Sequence, residues 1–583
     1  VLATRWAGSR KVIGATSWPT TNLYENRKEP PVSNSAAHVL AASLEAHGVD
    51  TAYCVPGESY LPLTDALIDF PNMKLVVCRH EGGAGFMAVA HARLRNEPGV
   101  CIISRGPGAM NAAIALHVAY HDAEPLIFLV GQAERDELGR MALQEMNYSR
   151  AFSETAKLVI EVIEPSRISE SIARAFHVAQ SGTPGPVVVV LPEDLLYGPC
   201  EAEVLGPRKK ALTAPTPEDA AAAVAMLRAA ERPLVIAGGR LHGPAALADL
   251  TTFAERFALP VATPQRRFHI FDSRHPNSAG RLINRAPGEL LDVMRECDLL
   301  LVLGERIGPS MSQGFTFPRA PKPEQPMIHV WPDPVEVGRV FEPALGLGCD
   351  PHEFIKAMLA MGPEDSAATR SAWVPRLNTA HRSVMTWKPV SANDGVVFGH
   401  VVAAINDHLD KDAVVTTDAG NFSSWPARYL HLGQDNMFIG ATVGAMGPGV
   451  PSGVAAGLST PGRQIVVFVG DGGAMMTGNE LATAVQYGVP IKIFVANNSA
   501  YGTIRMHQAR SFPGRVTATA LQNPDFAAWG EAFGAKGFCI TAESEVEQVV
   551  AEAMAHDGPA VIETRISLNH ISPSARIDEI EAR

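Results

Sequence analysis

The chain has 583 residues, 46% hydrophobic and 19% charged, with a formal net charge of −12. That length exceeds what one hydrophobic core organises and calls for three or four domains of ordinary globular composition. The acidic balance, without a basic stripe, argues against nucleic acid as the main partner, and no apolar run reaches the roughly eighteen residues of a membrane span. Seven cysteines are scattered without a C-x-x-C pair, several inside apolar runs. They read as buried thiols of a reducing, cytoplasmic compartment.

Residues 1–32 are polar and read as an N-terminal arm or leader, outside the fold. From Val32 the pattern becomes regular. Ala36 to His47 reads as a helix, Ala52 to Val55 as a strand and Pro56-Gly57-Glu58 as a turn. Leu61 to Phe70 reads as a helix, and the strand Met73 to Cys78 runs into Arg79-His80-Glu81-Gly82-Gly83 ahead of a further helix ending at Arg95. Strands alternating with helices at this spacing imply a parallel sheet covered on both faces. An acid such as Glu81 at a helix start is favoured by the macrodipole without any catalytic role. Gly185 to Pro192 adds a buried strand to this first domain, 33–198, and the proline-rich Pro199 to Pro217 reads as a linker.

A middle domain, 218–361, offers strand–turn units at Leu234 to Gly239, Leu299 to Arg306 and Met327 to Asp333. It reads as Rossmann-like, yet it lacks a G-x-G-x-x-G fingerprint, and fold alone does not make a nucleotide site. Residues 362–392, polar with scattered prolines, read as a second linker.

The third domain, 393–570, opens with the strand Val414 to Thr417 and the loop Asp418-Ala419-Gly420-Asn421-Phe422, followed by the glycine-rich stretch 440–457. Two β-branched runs then stand out: Ile465 to Val469, ending in Gly470-Asp471-Gly472-Gly473, and Ile491 to Ala496, ending in Asn497-Asn498. They read as neighbouring parallel strands with a right-handed crossover, which puts Asp471 and Asn498 past strand carboxyl ends, where open α/β sheets bind ligands. Two hard oxygen ligands plus a loop carbonyl leave Mg²⁺ positions for phosphate oxygens, and the glycines allow close backbone approach. Pro559 to Thr564 reads as the last strand and 571–583 as a mobile polar tail.

Val100 to Gly131 lays on Ile465 to Ala496 without a gap at an offset of 365, matching Gly108, Met110, Leu116 and Pro125 to Gly473, Met475, Leu481 and Pro490. A duplication or convergent βαβ units would both produce this. Gly106 stands in the place of Asp471, so the first copy lacks the metal ligand.

The Gly470-Asp471-Gly472 turn followed by Asn497-Asn498 resembles the signature of thiamine diphosphate-dependent enzymes, and the chain as a whole is similar to acetolactate synthase large subunits. The resemblance implies an α/β chain with a pyrimidine-binding (PYR) domain and a diphosphate-binding (PP) domain flanking the Rossmann-like one. It implies thiamine diphosphate as cofactor, with Mg²⁺ held by Asp471, Asn498 and the Ala500 carbonyl. Glu81 would hydrogen-bond the pyrimidine ring and promote loss of the thiazolium C2 proton. Gly57, Asn111, Gly420, Asn421, Phe422, Gly444, Met446, Gly472, Gly473, Ala474, Tyr501 and Gly502 would contact the cofactor, Met446 as the wedge that bends it. Glu58, Gln132 and His507 would face the substrate. His507 stands where acetolactate synthases carry a Trp that helps choose the acceptor, which leaves the acceptor open. Some relatives hold FAD in the middle domain; here their G-M-H-G turn is replaced by Gly280-Arg281-Leu282-Ile283, which weighs against FAD. The implied activity is Mg²⁺-dependent decarboxylation of a pyruvate-like 2-oxo acid and transfer of the two-carbon unit to an acceptor carbonyl. The implied assembly is a homodimer or homotetramer with sites between subunits. A decarboxylase or C–C lyase of the same family, a non-catalytic paralogue and a flavin or nicotinamide oxidoreductase are the alternatives.

Overall fold

The computed structural model describes residues 35–362 and 370–582, so the expected arm at 1–32 lies outside the described residues. Three six-stranded sheets follow one another along the chain. The first contains β1 (Thr51–Cys54), β2 (Lys74–Val77), β3 (Gly99–Ile103), β4 (Leu126–Gln132), β5 (Leu158–Glu161) and β6 (Pro186–Pro192). The second contains β7 (Pro233–Ala237), β8 (Val261–Pro264), β9 (Ser278–Leu282), β10 (Leu299–Leu303), β11 (Met327–Trp331) and β12 (Leu345–Gly348). The third contains β13 (Val414–Thr417), β14 (Met437–Ile439), β15 (Ile465–Gly470), β16 (Lys492–Asn497), β17 (Lys536–Ile540) and β18 (Ala560–Arg565). Each strand pair is parallel, and the central strands are buried along their whole length, which is why they read as continuous β-branched runs rather than alternating ones.

The outer sheets share one topology. Their orders, β2-β1-β3-β4-β6-β5 and β14-β13-β15-β16-β18-β17, are the same permutation. The 365-residue offset lays β3 on β15 and β4 on β16, and Gly106 and Asp471 each open the helix between them. The middle sheet runs β12-β11-β10-β7-β8-β9, the 3-2-1-4-5-6 order of doubly wound nucleotide folds. The chain is thus an α/β protein of two related parallel-sheet domains on either side of a Rossmann-like one.

One apolar core runs through both outer domains, joining Tyr53, Phe86, Met87 and Phe128 to Val454, Val467 and Phe526. The helix Glu81–Arg95 lies at that junction, packed on the helices Gly106–Asp122 and Gly449–Ser459. Its small residues permit this closeness. A Cβ on Gly85 would stand 2.5 Å from that of Ala115, and one on Gly83 would stand 2.3 Å from a Glu480 carboxylate oxygen. Buried ion pairs tie in the middle domain. Arg93 reaches Asp122 (2.5 Å), Glu124 (2.8 Å) and the Gly440 carbonyl (2.7 Å), while Arg267 also reaches Glu124 (2.9 Å). Burial raises the Glu124 carboxyl, but the Arg93 and Arg267 guanidiniums outweigh it and bring the group down to about 2. A charge cluster so fully paired fixes the relative placement of the three domains.

Two sequence expectations are corrected. The supposed linker 362–392 contains the helix Trp373–Met385, whose Trp373, Leu377, His381, Val384 and Met385 are buried against β9 and its neighbours. The polar outer face of that helix hid a helical period. The tail expected to be mobile instead folds back: Ile571 and Ile577 pack on Met506 and Ala509, and Glu581 pairs with Arg505 at 2.8 Å.

Candidate functional site

At the carboxyl edge of the third sheet, β15 delivers Asp471, β16 delivers Asn498 and β13 delivers the loop Asp418 to Phe422. Asp471 is 3% exposed. Its Oδ1 accepts from Gly472 N (2.9 Å), and its Oδ2 accepts from Ala500 N (3.2 Å) and Asn523 Nδ2 (2.9 Å). Asn498 Oδ1 accepts from the same Ala500 N at 3.2 Å. A left-handed Ser499 (φ 54°) turns the chain so that both oxygens converge there. Burial raises the Asp471 carboxyl above its usual range; amide donors offset this only in part, and among the described residues no cationic side chain pairs with it. A buried carboxylate without a counter-charge, beside an amide oxygen and facing a cavity, suits a hard divalent cation. Among the described residues no group of three or more His, Cys, Asp and Glu could hold a metal, so such a cation would depend on ligand oxygens as well.

The cavity has a volume of about 240 Å³. Gly420, Asn421, Phe422, Gly444, Met446, Gly472, Gly473, Tyr501 and Gly502 line it together with Asp471, Asn498 and Ala500. Ala474 does not; its methyl is buried in the shared core. The two glycines after Asp471 have a packing reason beyond ligand approach. A Cβ on Gly472 would stand 2.6 Å from the Tyr501 ring, and one on Gly473 only 2.1 Å from Asp418 Oδ2. Asp418 in turn accepts from Gly447 N (3.0 Å) and Gly449 N (2.6 Å), clamping the glycine-rich loop that carries Met446 over the cavity. Burial pushes the Asp418 carboxyl up to about 6, against the two amide donors. Asn421 is fixed by Thr503, whose hydroxyl accepts from Asn421 N at 3.0 Å.

The first sheet places its own group at strand carboxyl ends. Glu81 opens its helix after β2 and accepts from Asn111 Nδ2 at 2.9 Å. Gly57 follows β1 and passes so close to Ser104 that a Cβ would stand 2.5 Å from it. Glu58 is exposed, 3.4 Å from Arg105. Gln132 is buried and spent on backbone, donating to Met146 O (2.7 Å) and accepting from Ala133 N (3.0 Å). Within one chain none of these residues lines the Asp471 cavity. Glu81 and Asp471 therefore stand at two separate sheet edges within one chain. Beside them lie exposed Met110 and Ile114 on the Gly106–Asp122 helix and exposed Met475 and Met476 on the Asp471–Thr477 helix.

Sequence reasoning missed four residues here. Asp418 holds the glycine loop, and Asn523 bridges Asp471 to Asn497 Oδ1 (2.9 Å). Glu480, fully buried, accepts from Arg79 N (3.0 Å) and His80 N (2.9 Å) immediately ahead of Glu81. Arg266 reaches from the middle domain to Asp418 O and Ser423 Oγ, both at 3.0 Å. His507, expected at the substrate, lines a second and larger chamber against the middle domain.

In the middle domain the turn after β7 packs closely on its neighbours. A Cβ on Gly238 would stand 2.3 Å from Glu305 Cβ, and one on Gly239 2.5 Å from Arg267 Nε. Arg281, expected from the sequence in a turn, lies instead on the buried strand β9 and donates to Ala427 O (2.8 Å) and Leu430 O (2.7 Å).

Comparison with known proteins agrees with this architecture. Residues 34–151 match the thiamine pyrophosphate enzyme N-terminal TPP binding domain, residues 220–358 the central domain and residues 418–564 the C-terminal TPP binding domain. The acetolactate synthase large subunit of Parasynechococcus marenigrum (strain WH8102) is 32% identical over 92% of this chain and 88% of its own length. Two large subunits of Escherichia coli (strain K12) are each 30% identical: acetolactate synthase isozyme 1 over 91% of this chain and 94% of its own, and isozyme 2 over 94% and 96%.

Proposed function

The chain belongs to the thiamine pyrophosphate enzyme family, with acetolactate synthase large subunits among its relatives, and we propose that it decarboxylates a 2-oxo acid and transfers the resulting two-carbon unit to an acceptor carbonyl. Bound thiamine diphosphate supplies the electron sink for that decarboxylation. Asp471, Asn498 and the Ala500 carbonyl would hold Mg²⁺ against its diphosphate. The observation that carries this is the buried Asp471 carboxylate, matched by amide donors but by no cation, on the wall of a cavity. Met446, clamped through Asp418, shapes the cavity beside Gly472. Glu81, held by Asn111 and steadied from behind by Glu480, is the group that moves a proton at the pyrimidine nitrogen.

Because Glu81 stands apart from the Asp471 cavity in one chain, the working site takes Glu81 from one copy and Asp471 from another. The exposed Met110, Ile114, Met475 and Met476 flanking the half-sites suit burial in a homodimer, or a tetramer built from two. The middle domain has no G-x-G-x-x-G fingerprint for a flavin's phosphates, and it acts in this reading as a clamp rather than a flavin carrier. Among the described residues no helix is long and apolar enough to cross a membrane, and seven free cysteines, mostly buried, suit the cytoplasm.

Mixed-subunit complementation tests the shared site. Glu81→Gln and Asp471→Ala homodimers are each expected to be inactive. Refolding the two together leaves one intact site in each heterodimer, so activity should return to about a quarter of wild type. No recovery despite confirmed heterodimers would place the site within one chain. Mass spectrometry of products with and without acceptor separates ligation from plain decarboxylation, and absence of both activities in cofactor-loaded protein would favour a non-catalytic paralogue.

A further inference from the structure

The larger chamber, about 500 Å³, opens beside the Asp471 cavity and shares Gly420, Asn421, Gly444 and Thr503 with it. Its charged wall has one sign. Arg266, Arg285, Arg428 and Arg510 line it with His507, and no Asp or Glu does, in a chain whose net charge is −12. Arg266 is 4% exposed, and its Nη1 has no hydrogen-bond partner among the described residues. Its other terminal nitrogen is spent on Asp418 O and Ser423 Oγ. Arg510 Nη1 is likewise buried and unpartnered. Arg428 uses its Nε on Val384 O (2.9 Å), and exposed Arg285 is held at φ 57° after β9. Asp418, the acid whose charge acts most on Arg266, turns its carboxylate to Gly447 N and Gly449 N.

A buried guanidinium nitrogen left without an acceptor is costly, because it forgoes both water and a protein partner. Its natural complement is an anion, which several planar guanidinium forks hold far better than lysines would. Low-dielectric walls of one sign also concentrate anions against the field of an acidic protein.

We propose that this chamber binds the far end of the carbonyl substrate, and that this end carries a second anionic group: a carboxylate, phosphate or sulfonate. The inference rests on the proposed function in placing the reacting carbonyl at the cavity mouth shared by Gly420, Asn421, Gly444 and Thr503. It departs from an alkyl-tailed substrate, which would leave the basic wall of Arg266, Arg285, Arg428 and Arg510 without a counter-charge.

The test compares substrates matched in length, using protein loaded with thiamine diphosphate and Mg²⁺. As donors, 2-oxoglutarate is set against 2-oxopentanoate, with 3-phosphonopyruvate and 3-sulfopyruvate against 2-oxobutyrate as phosphorus and sulfur arms. As acceptors with pyruvate, succinic semialdehyde is set against butanal. At least one anionic member should exceed its neutral partner in kcat/KM by about tenfold or more, the scale of one charge-assisted hydrogen bond. Arg285→Gln with Arg510→Gln should erase that preference chiefly through KM, while the neutral partners hold. Neutral partners equal or better in every pair, or a preference that survives both substitutions, would overturn the proposal. Calorimetry of 2-oxoglutarate, 3-phosphonopyruvate and 3-sulfopyruvate binding to cofactor-free protein separates this from the reading beneath it. Salt-sensitive binding of at least one, lost in the double variant, supports the chamber even if turnover fails; no such binding by any refutes it even if pyruvate is turned over.

Discussion

Gly473→Ala probes how the cavity is held open, and its cost follows from three distances. The new Cβ would stand 2.1 Å from Asp418 Oδ2. Relieving that contact requires a shift on the order of 1 Å, since carbon and oxygen rest about 3.3 Å apart. Gly447 N donates to the same oxygen at 3.0 Å, so the shift stretches that bond beyond hydrogen-bonding range. Losing a hydrogen bond to a charged group costs about 1.5–3 kcal/mol, and overpacking adds about 1–3 kcal/mol. Replacing glycine inside a helix returns roughly 1 kcal/mol. The net expectation is a loss of about 1.5–5 kcal/mol in urea denaturation, with weaker thiamine diphosphate binding because the Met446 loop loses its clamp. The double variant with Asp418→Ala isolates the collision: there the glycine substitution should cost far less, giving a coupling energy of more than about 1 kcal/mol. If Gly473→Ala were within about 0.5 kcal/mol of wild type and bound cofactor normally, the clamp would not exist as described.

Asp471→Ala should abolish Mg²⁺-dependent retention of thiamine diphosphate in fluorescence titrations, and Asn523→Ala should weaken it about 10–100-fold, as for other outer partners of a metal ligand; unchanged affinity in both would remove the metal from this edge. Glu480→Ala leaves the Arg79 and His80 amides unpaired just ahead of Glu81, and should slow C2–H exchange of bound cofactor with little change in its affinity, Glu480→Gln restoring part of the rate. Burial pushes the His381 imidazole, which donates from Nε2 to Ser273 O at 2.9 Å, down to about 4 from 6.5. Between those values the unfolded chain binds the extra proton, so stability is full above about pH 6.5 and falls on acidification, by roughly 3 kcal/mol at about 1.4 kcal/mol per unit. His381→Gln should flatten that slope in denaturation midpoints between pH 7 and 4, and an unaltered slope would show that this histidine is not the sensor.

Chemistry concentrated in a short stretch was legible in the sequence. Asp471 and Asn498 announce themselves because strand ends, glycines and hard oxygens fall within a few positions of one another, and the fold sets both at one sheet edge. The duplicated topology was legible too, since the same strand–turn–helix–strand pattern recurs at a fixed offset. Asp418, Glu480, Asn523 and Arg266 were not, because each acts on a partner between 29 and 401 positions away, and no local pattern records such a partner. The helix Trp373–Met385 was hidden for another reason: its outer face is polar, and a buried His381 stands on the apolar stripe that would have announced it.

The two outer domains show how one topology yields complementary halves. Gly106 and Asp471 occupy equivalent first positions of helices that follow equivalent strands, yet only the second offers a carboxylate. The first domain puts its acid one strand earlier, at Glu81 after β2, so that on the proposed function its sheet would present the proton-handling group and the third the oxygens for a cation. Had both acids stood at the same turn, two such domains facing each other would crowd like charges around one cavity, raising one carboxyl strongly and weakening the grip on a cation. Displacing the acid by one βα unit removes that conflict while keeping the fold. On the proposed function neither half suffices alone, which would make association of two chains a condition of the chemistry rather than an addition to it.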